Sequence, residues 1–229
     1  MSQVVPTHVA IILDGNRRWA RARGENASFG HKAGMANIDR IIDRCLARGI
    51  RYLTVWGFST ENWKRDAAEV EFLMQIFETR LREKGEDWHR RGVRIHHMGQ
   101  LDRLPPTLQK VIRHWMTTTR ENTALTVTLC LSYGGHDELI RAIQKLIQAG
   151  TSTEQITEEA VVGALDSAGI PNPDLVIRTS GEQRLSGFLS WQSAYSELYF
   201  TQMHWPDFDE AALDEAIAWY AARERRYGK

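Results

Sequence analysis

Cysteine is scarce: Cys45 and Cys130 are the only two in 229 residues. They lie far apart in apolar stretches, which excludes a disulfide framework and points to two small buried hydrophobes in a reducing compartment. An excess of charge is missing as well, because Lys plus Arg and Asp plus Glu each total 29. That balance leaves no basic surplus for a nucleic-acid surface. No apolar run approaches the roughly 20 residues of a membrane span, and residues 1–7 lack the basic-then-apolar order of a signal peptide. A soluble, cytoplasmic protein is expected. Also absent are G-x-x-x-x-G-K-[ST], a strand followed by G-x-G-x-x-G, and Cys/His spacing of the zinc kind. A nucleotide phosphate cradle and a zinc site are thereby disfavoured.

What is present is a hydrophobic content of 42 %, enough to close one sizeable core. One domain spanning residues 1–229 is expected. His8-Val9-Ala10-Ile11-Ile12-Leu13 is a continuous apolar run ended by Asp14-Gly15, which reads as a strand buried on both faces. Ile38, Ile41, Ile42, Cys45 and Leu46 form one helical face stopped by Gly49. Further strands are expected at 52–58, 93–98, 125–131 and 175–177. Helices are expected from about 67 to 91, from Pro105-Pro106 onward, over 136–149 and over 209–226. Strands alternating with helices predict an α/β fold with a central, mostly parallel sheet and right-handed crossovers.

In such sheets ligands sit beyond the carboxyl ends of the strands. Three polar segments fall there: Asp14-Gly15-Asn16-Arg17-Arg18-Trp19, then Ser59-Thr60-Glu61-Asn62-Trp63-Lys64-Arg65, then Arg178-Thr179-Ser180-Gly181-Glu182-Gln183-Arg184-Leu185-Ser186. Arginine forks and a helix start both favour phosphate oxygens. A capped helix with solvated arginines accounts for the first segment alone, but three Arg-bearing loops at one sheet edge exceed what capping requires. His96-His97 resemble a metal pair, yet neighbours on a strand point to opposite faces, so no metal is assigned to them. Asp207, Asp209 and Glu210 are read as a helix start.

At these residues the chain resembles the undecaprenyl diphosphate synthase family, the cis-prenyltransferases. The likeness runs from His8 to Gly228 through HVAIILDGNRRWA, FGHKAG, FSTENWKR, LSYGGHDEL, PDLVIRTSGEQRLSGFLSWQ, AYSELYF and WPDFDE. The resemblance implies a homodimer, Mg2+, and a transferase that condenses isopentenyl diphosphate with an allylic prenyl diphosphate in cis geometry and releases diphosphate. It also implies an apolar tunnel for the growing chain and peripheral membrane contact through a lipid product. Carried over by position, Asp14 and Glu197 would serve Mg2+. Gly15, Asn16, Arg17, Arg18, Trp19 and His31 would surround the allylic diphosphate, and Ser59, Thr60, Glu61, Trp63 and Arg65 would complete the wall. Arg178, Arg184, Leu185 and Ser186 would form the isopentenyl diphosphate clamp, and Arg226-Tyr227-Gly228 would reach the neighbouring subunit. Asn62 falls at the position assigned as proton acceptor; an amide is a weak base, so a diphosphate oxygen is the expected final acceptor.

Several positions depart from the family pattern. Ala27 stands in place of an arginine, Ser132 and His136 alter the N-Y-G-G-R block, Gly187 replaces the asparagine of L-S-N-F-L, and Gln183 stands where some members carry histidine. Bulky Phe72 and Leu131 are expected to shorten the tunnel, with ordinary core packing as the alternative. The competing functions are a catalytically silent partner subunit of a heteromeric enzyme and a simple phosphate-binding module. Retention of Asp14, Arg178 and Arg184 speaks against the first, and the coexistence of Asn62, Glu197 and a tunnel against the second.

Overall fold

The computed structural model describes residues 4–223; the Arg226-Tyr227-Gly228 tail lies outside them. Six strands form one parallel sheet: β1 (His8–Ile12), β2 (Tyr52–Ser59), β3 (Val93–Met98), β4 (Leu125–Tyr133), β5 (Leu175–Arg178) and β6 (Glu197–Phe200), in the order β3-β4-β2-β1-β5-β6. β1 has β2 on one side and β5 on the other, and all five of its residues are buried. This explains its unbroken apolar sequence. The period of two still shows in packing: Val9 and Ile11 join the large core, whereas Ala10 and Ile12 pack with Cys130, Val176 and Phe188 in a smaller one.

The helices described are α1 (Asn16–Arg21), α2 (Ala27–Arg48), α3 (Ala67–Arg90), α4 (Pro106–Thr118), α5 (Gly135–Gln148), α6 (Glu158–Ala164) and α7 (Glu210–Ala221). α2 begins where the Asn26 side chain accepts from Phe29 N–H and ends at Gly49, whose φ of 73° is left-handed. Asp66 caps α3 by accepting from Ala68 and Glu69 N–H, and Asp209 caps α7 by accepting from Ala212 N–H. The reading of Asp209 as a helix start therefore stands. α1 lies against α2 because the latter offers two glycines: a Cβ on Gly30 would meet the Asn16 carbonyl oxygen at 2.0 Å, and one on Gly34 would meet Asn16 Oδ1 at 2.2 Å.

Four elements differ from the sequence reading. β4 continues two residues further, to Tyr133, while β6 and α6 give no clear periodic signal, being only 4 and 7 residues long. α7 ends at Ala221 rather than at 226. His97 Nε2 donates to the Leu131 carbonyl at 3.2 Å, and no group of three His, Cys, Asp or Glu gathers among the described residues. None of the described helices is long and apolar enough to cross a membrane.

Candidate active site

In the β1–β2 and β1–β5 registers, Ile12 stands beside Trp56 and Arg178. The chain segments that follow these three strands therefore emerge at one edge, on either side of the strand where the winding reverses. A cleft of about 480 Å³ opens there. Its polar end is lined by Arg17, Arg18, Arg21, Arg65 and Arg178 against a single carboxylate, Asp14. Its other end is apolar, formed by Ile38, Trp56, Phe58, Leu73, Ile76 and Phe77. Behind the lining, Glu69 stands near Arg65 and Arg17 and Glu182 near Arg18. Five guanidinium groups still outnumber these carboxylates and make a receptor for anions, and the apolar continuation suits anions that have a hydrocarbon tail.

Asp14 is held firmly. Its carbonyl accepts from Thr179 Oγ1 at 2.7 Å and from Trp205 N–H at 3.0 Å. Its carboxylate receives Arg178 Nη2 at 3.0 Å and Arg18 Nη2 at 3.2 Å, while 29 % of the side chain stays exposed to the cleft. Gly15 follows with φ 104°, a conformation costly to a residue bearing a Cβ, and the space a Cβ would need is taken by Ser180 Oγ at 2.5 Å and His204 Nδ1 at 2.8 Å. Ser180 and His204 are themselves hydrogen-bonded at 2.6 Å, a buttress with no motif to announce it. α1 has only six residues, so the arginines, more than a helix terminus, supply the positive field.

Arg178 is the most constrained cation, with 6 % of its surface exposed. Its Nη1 donates to Ser186 Oγ at 2.9 Å and to the Arg184 carbonyl, and its Nη2 to Asp14. The Nε has no partner. Ser186 accepts this bond from a left-handed backbone, φ 52°, and Gly187 follows at φ 85°. Glycine and asparagine both tolerate that conformation, so the Gly187 departure preserves the loop.

His31 is buried and hydrogen-bonds through Nε2 to Glu69 Oε1 at 3.3 Å, and desolvation lowers its pKa below the usual imidazole value, favouring the neutral ring. Glu69 also receives Arg65 Nη1 at 3.1 Å and lies 3.9 Å from Arg17. It thus orders three groups of the wall; in the sequence it is masked by its place in the first turn of a capped helix. Asn62 lines the cleft, but its Oδ1 accepts from Ser59 N–H at 3.1 Å inside a reciprocal cap. A backbone N–H needs an oxygen acceptor, so the amide presents N–H groups to the cleft. With one lone pair of its oxygen already engaged, the amide is a still weaker base, in keeping with a diphosphate oxygen as the final proton acceptor.

Of the other residues singled out from sequence, Gly15, Asn16, Arg17, Arg18, His31, Ser59, Arg65 and Ser186 line the cleft with Asp14 and Arg178. Trp19, Thr60, Glu61, Trp63, Arg184, Leu185 and Glu197 do not. Trp19 stacks on Phe29 and donates to Asp207 Oδ1 at 2.7 Å. Thr60 donates to Glu61. Trp63 donates to Ser132 Oγ at 2.9 Å. Arg184 is 61 % exposed and paired with Glu182, and Leu185 packs against the smaller core. Glu197 pairs in register with Leu175, three residues before Arg178, and binds Arg223 at 3.2 Å. That places it about 10 Å down the sheet from the Arg178 end, so within one chain it does not join Asp14. Phe72 faces away from the cleft toward Lys32, 5.7 Å from its ring, while Leu73, Ile76 and Phe77 turn inward.

A sequence profile described as "Putative undecaprenyl diphosphate synthase" matches residues 12–228. The chain is 45 % identical over 226 residues to an isoprenyl transferase of Ralstonia nicotianae, covering 98 % of this chain and 88 % of that protein. It is 41 % identical over 233 residues to a ditrans,polycis-undecaprenyl-diphosphate synthase, (2E,6E)-farnesyl-diphosphate specific, of Legionella pneumophila, covering 100 % and 98 %. Among solved structures it superposes with a TM-score of 0.95 and 37 % identity on lavandulyl diphosphate synthase from Lavandula x intermedia in complex with dimethylallyl diphosphate, covering 98 % and 99 %. A probable undecaprenyl diphosphate synthase from Campylobacter jejuni gives 0.83 and 31 %, with the same coverage. By fold, by the cleft at its sheet edge and by these likenesses, the chain belongs to the undecaprenyl diphosphate synthase family of prenyltransferases.

Proposed function

We propose that the cleft joins isopentenyl diphosphate to an allylic prenyl diphosphate with cis geometry at the new double bond. The observation that carries this reading is the continuity of a five-arginine end with an apolar end in one 480 Å³ cleft. The allylic C–O bond breaks with its electrons leaving on diphosphate. The isopentenyl double bond attacks the allylic carbon, and a proton then leaves the isopentenyl unit for a diphosphate oxygen. Arg17, Arg18 and Arg65 stabilise the charge growing on the departing group. Arg178 and Ser186 seat the second diphosphate, with Arg184 released from Glu182 as its outer ligand. Asn62 donates from the wall, and Trp56 with Phe58 exclude water from the cationic carbon.

Mg2+ suits this donor set. It takes one or two carboxylates and otherwise substrate phosphate and water oxygens, and Asp14 offers one partly exposed carboxylate among cationic phosphate ligands. Asp14 would hold the ion, which when bound supplies Lewis-acid stabilisation of the leaving diphosphate. Homodimerisation is supported by α5, where Ile140, Ile143 and Ile147 recur on one face at 56 %, 53 % and 69 % exposure. A cytoplasmic location, with membrane contact only through a lipid product, is supported by the buried, unpaired Cys45 and Cys130. A silent partner subunit is disfavoured because Asp14, Arg18, Arg178 and Ser186 form one connected set.

The test is release of diphosphate from isopentenyl diphosphate mixed with C5, C10 or C15 allylic diphosphates, with Mg2+ or EDTA. Release that needs both substrates and Mg2+ supports the reading. Release from the allylic substrate alone, or none at all, contradicts it.

A further inference from the structure

Behind the apolar end of the cleft lies a second void of only about 20 Å³. The two share Leu13, Met35, Ile38, Gly57 and Phe77 as walls, so the void continues the cleft rather than standing apart. α3 shows the direction of travel. Leu73, Ile76 and Phe77 face the cleft, and Phe77, Arg80, Leu81 and Trp88 face the void. At 1.5 Å per residue the path from Phe77 to Trp88 is about 16 Å long. It is filled by side chains. A void this small holds about one water molecule and no isoprene unit.

Two kinds of group close it. Phe77 and Leu131 meet across Gly57, where an added Cβ would stand 3.2 Å from the Phe77 ring and 3.0 Å from Leu131 Cδ2. One turn further along α3, Arg80 lines the void and pairs with Asp39 of α2; the two side chains are only 17 % and 19 % exposed. Arg80 Nε and Asp39 Oδ1 are buried without a partner. A hydrocarbon chain pushed past this pair would separate two largely buried charges, leaving Asp39 with Lys84 at 3.6 Å and Arg80 with Glu83 at 4.0 Å, a larger penalty than moving a leucine.

In front of this closure the cleft must seat diphosphates at its arginine end as well as the tail at its apolar end, so with the passage behind Phe77 filled the tail has no room to grow long.

We infer that Phe77, Leu131 and the Arg80–Asp39 ion pair close the tunnel of this chain, so that its product is a short prenyl diphosphate no longer than C15. The inference rests on the proposed function and deepens it by assigning the product class.

The test sizes dephosphorylated products formed from isopentenyl diphosphate and C5, C10 or C15 starters. The wild-type chain is expected to extend the C5 and C10 starters to C15 at most and to leave the C15 starter unextended. Phe77→Ala/Leu131→Ala should lengthen the product by one or more C5 units. Adding Arg80→Leu and Asp39→Leu together, which removes both members of the pair at once, should lengthen it further. Wild-type products of C20 or more overturn the inference and leave the proposed function intact. A fourfold variant with native circular dichroism and an unchanged product also overturns it. No consumption of isopentenyl diphosphate with any starter instead refutes the proposed function. Starter selectivity of the wild-type protein decides the matter if the variants fail to fold.

Discussion

Replacing Asn62 by aspartate separates two roles that one side chain can play. In the structure Asn62 Oδ1 accepts from Ser59 N–H at 3.1 Å, and the Ser59 side chain accepts in return from the Asn62 backbone. An aspartate there would keep that acceptor, so the turn after β2 should survive; Asn62→Ala, by contrast, removes the cap and costs about 1 kcal/mol. The substitution removes the amide N–H donors and adds a negative charge beside bound anions. A hydrogen bond to a charged partner contributes about 1.5–3 kcal/mol, and at about 1.36 kcal/mol per decade of rate its loss lowers kcat roughly ten- to 150-fold. Steady-state kcat at saturating levels of both substrates, alongside a thermal melt, makes the comparison. The Asn62→Asp variant should melt like wild type and turn over at least tenfold more slowly. If Asn62 were the proton acceptor, a carboxylate would be the stronger base, so a kcat equal to or above wild type would refute the donor assignment.

Asp14→Asn keeps the shape but weakens the hold on Arg178, Arg18 and Mg2+. Loss of such electrostatic stabilisation typically lowers kcat about 10²–10³-fold, and near-normal turnover at saturating Mg2+ would show the carboxylate to be dispensable. Arg184→Lys replaces an exposed fork by a point charge; the KM for isopentenyl diphosphate should rise more than that for the allylic substrate, and equal rises would misplace the clamp. Acid should destabilise the fold through buried histidines. Burial lowers the pKa of His8 and His97 to about 4, whereas the unfolded value is about 6.5. The unfolded chain therefore binds more protons between those values. The stabilisation is complete above about pH 6.5 and is lost as pH falls toward 4, by on the order of 3 kcal/mol per histidine. Melting temperatures taken from about pH 7.5 down to about 5 should fall, and a flat profile would contradict the buried neutral rings.

Much of the fold was legible because its central strands have no solvent face. β1 and β2 announce themselves as apolar runs, and α3 is bounded by Asp66 and by Gly92 just beyond its end. β6 was not legible as a strand, because Glu197–Phe200 is a half-exposed edge segment without strict alternation. In the site, residues directly after strands were readable: Asp14, Arg18 and Arg178 meet because their strands end together. Side-chain direction within a block was not. Trp19 follows its strand as closely as Arg18 does, yet Phe29 and Asp207 turn it aside, while Glu61 is held by its neighbour Thr60. Glu69 escaped notice because a first-turn glutamate looks like ordinary capping. Phe72 differs from Phe77 by a rotation about the helix that only the docking of α2 fixes.

Product structure tests the central claim most directly. The protein, supplied with isopentenyl diphosphate, dimethylallyl diphosphate and Mg2+, should form a regular head-to-tail prenyl diphosphate, and NMR of the dephosphorylated alcohol should show the Z configuration at the newly formed double bond. An E double bond, or a branched skeleton without a unit derived from isopentenyl diphosphate, would contradict the account.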